Sequence, residues 1–426
     1  MMMTKTATRE EIEAMENGKW KTKNDLKQSY LLISAVFFLA AFCLTLTAHC
    51  QIAVKGETVW TMAGEPIANG VVLINNGKIE AVGPQSSVQV PANYRVISAK
   101  VVTPGLIDAH SVIGLNGYLN QPHDQMALEG SGPIQPELRA IDAYNADEKL
   151  IEWVRQFGVT TIHTGHQPSA LVSGQTMIAK TVGKDVDEAT IVPTAMIAVT
   201  LGEDSLAAQG KSPGTRGKEA AMLRAELIKA QENSKKTDPP KDLRSDIMVK
   251  VIKREIPLLI TANKSQDIMT ALRLAKEFNL KIVLDGASEA QLVMNEIKAS
   301  GFPVIVHPTM ARANGDTESL SLEDAAKLKA AGILTALQSG YESYVPKTRV
   351  VLFEAAMAAA NGLSKRDAFA MITIDAARIL GLDSRIGSLE KGKDADVAMY
   401  DGDPFEWTSH CTGTIINGQV VSDIVR

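Results

Sequence analysis

The sequence has few of the residues from which disulfide frameworks and cysteine-based metal sites are built. Its 426 residues include three cysteines, Cys43, Cys50 and Cys411, and seven histidines. So few cysteines exclude a disulfide-rich scaffold and a zinc site made of cysteines. If the N-terminal segment is removed from the chain, Cys411 alone remains. The mature protein would then have no intramolecular disulfide.

A strong charge of either sign is also lacking. The chain has 44 Lys and Arg residues against 49 Asp and Glu residues, for a net charge of −5. This balance gives no electrostatic basis for binding nucleic acid or an anionic membrane surface. The sequence also contains neither the Gly-x-Ser-x-Gly elbow of serine hydrolases nor a Walker-type phosphate loop. It therefore argues against a nucleic-acid-binding protein, a serine hydrolase and a nucleotide hydrolase.

What the sequence does have first is an N-terminal leader, residues 1–50. The run from Leu31 to Leu46 is almost entirely apolar; it is followed by small residues up to Cys50 and preceded by lysines at positions 19, 21, 23 and 27. This order predicts a signal peptide cleaved after Cys50, and hence a periplasmic or secreted protein. The alternative is a membrane anchor retained in the mature chain, because about 20 apolar residues span a bilayer. Met15 is an alternative start.

The rest of the chain has β-rich segments at both ends. Asn75-Asn76-Gly77 and Asn417-Gly418 each separate two short alternating segments and predict β-hairpins. Between the two ends, strand-like and helix-like stretches alternate, as in an α/β domain. The pattern therefore predicts an α/β middle and one small composite β-domain built from both chain ends, with the boundaries 51–101 and 386–426 for the β-domain and 102–385 for the middle.

Seven strands of the middle region can be located from their apolar runs. They are residues 105–110, 158–164, 191–200, 256–263, 281–286, 303–308 and 333–338. The eighth strand of such a region is either irregular or lies within Leu171–Val182. The polar stretch from Gly202 to Asp246 is predicted to be a solvated excursion that contains a charged helix.

Three motifs resemble those of the metal-dependent amidohydrolases, in particular the imidazolonepropionase-related branch. They are VVTPGLIDAH, GVTTIHTG and GSLEKGKDADV, which begin at positions 101, 158 and 387. The resemblance implies a (β/α)8 TIM-like barrel with a small composite β-sandwich formed by both chain ends. It also implies descent from hydrolases of non-peptide C–N bonds, in cyclic amides or small peptide-like molecules. Such enzymes hold one or two divalent metals at the carboxyl ends of the barrel strands.

The residues that should hold the metal depart from the family pattern. The family's first motif is His-x-His, in which both imidazoles share one strand face; here His110 is followed by Val112. Flanking residues place Thr261 and Asp285 where the family has later histidines. They place Gly340 where it has the general-base aspartate. Because a catalytic zinc takes about three protein ligands, the sequence predicts a degenerate metal site.

Two functions follow from this prediction. In the first, the protein is catalytically impaired, needs no cofactor and has no assigned catalytic residue. It binds a small molecule at the barrel mouth through His166, Asp285 and His307, or it is the partner of an intact amidohydrolase paralogue in an oligomer. In the second, it is an active hydrolase that holds zinc or another divalent metal through a rebuilt site of His110, Asp285 and His307. His163, which ends the same strand as His166, faces this mouth as well.

Overall fold

The computed structural model describes residues 51–119, 121–208, 210–237, 242–309, 311–341 and 350–426. The signal peptide predicted for residues 1–50 lies outside these ranges. Within them, no helix is both long enough and apolar enough to cross a lipid bilayer. The fold of the described part is mixed α/β.

Strands and helices alternate along most of the described chain. The strands are β1 (Ile52–Val59), β2 (Ile67–Asn75), β3 (Lys78–Pro84), β4 (Arg95–Pro104), β5 (Leu106–Ser111), β6 (Val159–Thr164), β7 (Val172–Gln175), β8 (Met177–Lys180), β9 (Thr190–Val192), β10 (Ile197–Leu201), β11 (Leu258–Ala262), β12 (Ile282–Gly286), β13 (Val304–Val306), β14 (Thr335–Ala336), β15 (Val397–Tyr400), β16 (Cys411–Ile416) and β17 (Gln419–Ser422). The helices are α1 (Lys149–Arg155), α2 (Val186–Ala189), α3 (Arg216–Asn233), α4 (Leu243–Ile252), α5 (Ser265–Phe278), α6 (Met294–Ser300), α7 (Asp324–Ala330), α8 (Val350–Ala360), α9 (Lys365–Met371) and α10 (Ile374–Ile379).

Strands from both chain ends pair in one sheet. Its seven strands have the order β17-β16-β15-β4-β1-β2-β3. β4 pairs with β1 in parallel on one side and with β15 in antiparallel on the other, where Val397 lies opposite Pro104. The first and last segments of the described chain are therefore joined through β4.

Both hairpins expected from the sequence are present in this sheet. Asn76 and Gly77 connect β2 to β3 with φ angles of 51° and 76°, and Asn417 and Gly418 connect β16 to β17 with φ angles of 50° and 75°. Two successive positive φ angles are what a type I′ turn requires, and Asn-Gly is the residue pair that adopts them most readily. The prediction from the Asn-Gly pairs is confirmed.

The central strands form two further sheets, β5-β6-β8-β9 and β14-β13-β12-β11-β10-β7. β7 and β8 are two parts of one run that breaks at Thr176; β7 pairs with β10, and β8 pairs with β6. This run lies within Leu171–Val182, and both of its parts pair antiparallel with their neighbours. At the other edge, the Gly340 amide donates to the His110 carbonyl at 3.2 Å, which links the first central strand to the segment after β14.

The central strands are buried along their whole length. Every residue of β5, β6, β10, β11, β12 and β13 is buried. Strands that are buried along their whole length are typical of parallel sheets covered on both faces. Because β10 to β14 run parallel, their carboxyl ends lie at the same edge, and β5 joins them there.

The stretch from Gly202 to Asp246 is not a solvated excursion, so that prediction was wrong. Most of its described residues belong to α3 and α4. Helix α3 begins after Thr215, whose hydroxyl accepts a hydrogen bond from the Lys218 amide at 3.2 Å. Its Leu223 and Leu227 are fully buried in the main hydrophobic core. The buried face of α3 has few apolar residues. The many charged residues on its other faces led to the prediction of a solvated segment.

Arg216, at the start of α3, connects two carboxylates from other parts of the chain. Its Nε donates to Asp267 at 2.9 and 3.0 Å, and its Nη2 donates to Asp316 at 2.8 and 2.9 Å. We expect Arg216→Gln to lower the free energy of unfolding by about 2 kcal/mol, because buried Asp267 loses its charged partner. Denaturant titration of both proteins measures the difference.

Arg224 on the same helix provides the matched control. It forms a similar double contact with Glu277, at 2.8 and 2.9 Å, but both side chains are about one-third exposed. Arg224→Gln should therefore cost less than about 1 kcal/mol. Equal losses from the two variants would show that the burial of Asp267 does not matter.

Candidate functional site at the carboxyl ends of the central strands

The site is built around Asp285, which β12 holds in the interior. One of its oxygens, Oδ1, lies 3.1 Å from His110 Nδ1 and accepts from Gln338 Nε2 at 2.8 Å. The other, Oδ2, accepts from the hydroxyl of Thr261 at 2.6 Å. Thr261 stands directly opposite Asp285 in the pairing of β11 with β12. The carboxylate therefore joins β5, β11, β12 and the segment after β14.

His110 and Asp285 form a buried ion pair. Burial alone favours a neutral imidazole, but the Asp285 carboxylate outweighs it and raises the pKa of His110. Burial likewise disfavours the charged form of Asp285, yet His110, Thr261 and Gln338 together lower the pKa of this carboxyl group. Both shifts favour the charged forms of the two side chains.

His163 lies beside this pair but has partners of its own. Its Nδ1 is 2.7 Å from the carbonyl oxygen of Ala109, and its Nε2 is 2.7 Å from the hydroxyl of Thr176. Because a carbonyl only accepts, Nδ1 donates and Nε2 accepts from the hydroxyl. Burial, aided by the nearby charge of His110, lowers the pKa of His163 to about 4. The ring is neutral, and both of its nitrogens are used.

On the other side of His110, Asp108 fixes the segment that follows β14. Its carboxylate accepts from the backbone amides of His110 and Ser339, at 3.3 and 3.1 Å, and from the Ser339 hydroxyl. Burial raises the pKa of Asp108 to about 6. The next residue is Gly340, with a φ of 80°, and a Cβ atom there would lie 2.6 Å from Cγ of Pro308. This backbone has no room for the family's aspartate.

His307 and His166 are buried near the same strand ends. His307 lies after β13, with Nε2 3.3 Å from Asp324 and Nδ1 3.2 Å from the Pro308 carbonyl oxygen. His166 follows β6; burial lowers its pKa to about 4. Neither ring nitrogen of His166 has a hydrogen-bond partner of good geometry among the described residues. The structure thus pairs His110 with Asp285 and gives His307 separate partners.

Comparison with known proteins identifies the family. The sequence matches the amidohydrolase family over residues 114–422. The chain belongs to that family. Among relatives with known names, it is 25% identical to an imidazolonepropionase of Fusobacterium nucleatum over 398 residues, which cover 83% of this chain and 91% of the relative. A second imidazolonepropionase, from Brucella anthropi, is 23% identical over 392 residues and is matched over 92% of its length. These matches confirm the resemblance to the imidazolonepropionase-related branch.

Solved structures agree with this assignment. An amidohydrolase from Thermotoga maritima superposes with a TM-score of 0.83 and 29% identity, over 88% of this chain and all of that one. An adenosine deaminase from Xanthomonas campestris with bound zinc has a TM-score of 0.53 and 16% identity, over 87% of this chain and 92% of that one, which is a likeness of fold alone. Neighbours with the amidohydrolase fold imply a TIM-like barrel for this chain.

Members of the amidohydrolase family are typically metal-dependent, but no metal site shows among the described residues of this chain. Across the ranges that the structure describes, no three His, Cys, Asp or Glu side chains are grouped so that they could hold an ion. Both nitrogens of His163 and both oxygens of Asp285 are engaged with protein atoms. Val112 is fully buried in the hydrophobic core. A rebuilt site of His110, Asp285 and His307 stays a prediction, and its formation would require these partners to rearrange.

Three residues of this site were not found by sequence reasoning. They are Asp108, Gln338 and Glu354. Glu354 lies on α8 and accepts from the backbone amide and the hydroxyl of Thr309, at 2.7 and 3.1 Å; burial raises its pKa to about 7. A single carboxylate within the apolar run VVLFEAAMAAA was a usable signal, because a lone charge on a buried helix face has a buried partner.

Proposed function

We propose that this chain is an amidohydrolase-family protein that does not hydrolyse C–N bonds and acts by binding. The proposal rests on one observation above all: the Asp285 carboxylate, at a position where the family has a histidine, pairs with His110 at 3.1 Å. A histidine ligates a metal only through a deprotonated nitrogen. Asp285 raises the pKa of His110 and so favours the protonated ring, which has no lone pair to offer a metal.

The neighbours of this pair support the same conclusion. Thr261 and Gln338 donate to Asp285 and keep its oxygens occupied. Gly340 replaces the acid–base group and leaves no space for a side chain. Activating a water molecule for hydrolysis would need both a metal and a base of suitable pKa. The protein therefore acts as the partner of an intact amidohydrolase or as a receptor for a small molecule at the barrel mouth, where His166 is available as a contact.

The finer architecture belongs to this proposal as well. The central strands form a (β/α)8 barrel, and the seven-stranded sheet belongs to a composite β-sandwich with the boundaries 51–101 and 386–426. The chain is exported to the periplasm. Support for export comes from the order of lysines, apolar run and small residues within 1–50.

Metal content and turnover test the proposal together. The full chain is incubated with zinc or manganese, dialysed and analysed by mass spectrometry for metals; we expect below about 0.1 ion per chain, since no three ligand side chains are grouped together among the described residues. It should not hydrolyse imidazolonepropionate or other cyclic amides. Val112→His should remain inactive, because a second histidine does not free His110 from Asp285 and does not supply a base at Gly340.

A control variant distinguishes a metal held at the site from a metal that any added histidine would bind nonspecifically. Val96→His places the same residue at a half-exposed position of β4, which is not one of the site residues. Two results would contradict the proposal: stoichiometric metal that is lost in His307→Ala, or turnover gained by Val112→His but not by Val96→His. Either would favour the active hydrolase with a rebuilt site.

A further inference from the structure

The loop between β13 and α7 differs from its neighbours in how it is held. None of its residues 311–320, which we call the rim strap, is buried. The segments that follow β10 and β12 at the same edge do contain buried residues, such as Ser205 and Ala287. A segment that buries little surface can open locally at a low cost in free energy. The rim strap is therefore the part of this edge that can detach while the strands stay folded.

Both ends of the rim strap are fixed. Before it, the backbone amide and the hydroxyl of Thr309 donate to Glu354 at 2.7 and 3.1 Å. After it, Oδ2 of Asp324 accepts from the Ser321 backbone amide at 3.2 Å and lies 3.3 Å from Nε2 of His307. Glu354, Asp324 and His307 are all buried. The rim strap thus leaves the core and returns to it at one fixed base, as a hinged loop does.

Between these ends the rim strap contacts the segments that follow β12, β11 and β10. In that order, the contacts are Ser319 with Glu289 at 3.1 Å, Glu318 with Lys264 at 2.5 Å, and Asp316 with the Glu203 backbone amide at 2.6 Å. These strands are neighbours in the sheet order β13-β12-β11-β10. The rim strap therefore runs along the carboxyl ends of four consecutive strands, among them the two that carry Thr261 and Asp285.

Two ion pairs connect the rim strap to this edge. Arg216 donates to Asp316 at 2.8 and 2.9 Å, and Lys264 donates to Glu318, whose side chain is 64% exposed. Ion pairs near the surface stabilise a fold only weakly and are screened by salt. Each cation also has a carboxylate partner outside the strap, which is Asp267 for Arg216 and Glu289 for Lys264. Detachment of the strap would therefore leave neither cation without a counter-charge.

The candidate site itself is closed to solvent. His110, Asp285 and Gln338 are at most 1% exposed, and Oε1 of Gln338 has no hydrogen-bond partner among the described residues. A small molecule can reach this cluster only if part of the surrounding edge moves. We propose that the rim strap is a gate, closed by its two ion pairs, and that its detachment admits a small molecule to the cluster. This inference goes beyond the proposed function, because a gate would serve a substrate as well as a bound ligand.

The reactivity of an introduced thiol in the full chain tests the gate. Thr261→Cys places a thiol next to Asp285, at a position that is 3% exposed. Its rate of reaction with methyl methanethiosulfonate, a small uncharged reagent, is followed by peptide mass spectrometry, which separates this thiol from the native cysteines. In the same background, Asp316→Asn combined with Glu318→Gln should raise the rate about tenfold, because both ion pairs to the strap are lost.

Salt and a matched variant complete the test. Sodium chloride at about 1 M should accelerate the reaction of the chain with an unchanged strap, but should accelerate the strap variant much less. Glu277→Gln breaks the exposed ion pair with Arg224, outside the strap, and should leave the rate unchanged. A rate that does not respond to the strap substitutions would overturn the proposal, and so would an equal acceleration by Glu277→Gln. The assay contains neither metal nor substrate, so its result is independent of metal content and turnover.

Discussion

Asp285→Ala is expected to lower the free energy of unfolding by about 3–5 kcal/mol, which is the typical cost of breaking a buried ion pair by removing one partner. The variant leaves buried His110 without its carboxylate partner, and Thr261 and Gln338 lose the two oxygens, Oδ2 and Oδ1, to which they donate. Thermal or urea unfolding, followed by circular dichroism, measures the loss. Thr261→Val removes only one of these hydrogen bonds and should cost about 1 kcal/mol.

The pH dependence of this loss identifies the ion pair as its cause. The pKa of Asp285 is lowered in the folded protein, so its contribution is present above the unfolded value near 4 and is lost as the pH falls through the folded value. The pKa of His110 is raised, so its contribution is present below about 6.5 and is lost as the pH rises through the folded value. The difference between wild type and Asp285→Ala should be largest between these limits. A difference that grows steadily above pH 7 would contradict the assignment.

Glu354→Gln should have a large effect of the opposite sign: it should stabilise the protein by about 3 kcal/mol at pH 8. Burial raises the pKa of Glu354 from 4.5 to about 7. The folded state therefore binds the proton more tightly than the unfolded state does, and the stability of the wild type falls as the pH rises from 4.5 through 7. Glutamine keeps the size of the side chain and can still bond to Thr309, but it does not titrate.

Unfolding free energies at pH 4.5 and pH 8 measure this effect. The two proteins should be about equally stable at the lower pH and should diverge at the higher one, since only the wild type pays the cost of a buried charge. Glu296→Gln, on an exposed position of α6, is the control and should change neither value. Equal stabilities of wild type and Glu354→Gln at pH 8 would show that Glu354 ionises without penalty.

The sequence was sufficient to locate the central strands because most of them lie within short runs rich in apolar residues. Each of the runs ending near His110, Asp285 and His307 is a buried strand. The family resemblance then fixed their order. The ends of strands can be located without knowing how the strands pair. For this reason His110 and Asp285 were recognised as candidate site residues.

The rest of the site depends on features that a single sequence does not contain. Thr261 reaches Asp285 because β11 and β12 pair in one particular register. Gln338 reaches it from a segment that is connected to β5 through only a few hydrogen bonds. Glu354 is the single carboxylate of an apolar helix, but its partner Thr309 lies after β13 and cannot be inferred from that helix alone. The partner of His307 was missed as well. Its Nε2 lies 3.3 Å from Asp324, a contact that the sequence does not indicate.

The position of β4 between β1 and β15 has a consequence for biogenesis. Four strands of this sheet come from residues 52–104, and the other three come from residues 397–422. Until residues 397–422 have been synthesised, one side of β4 has unpaired amides and carbonyls that promote aggregation. This side of β4 therefore stays unpaired during synthesis. We expect the nascent chain to need a chaperone until β15 has been made and can pair with β4.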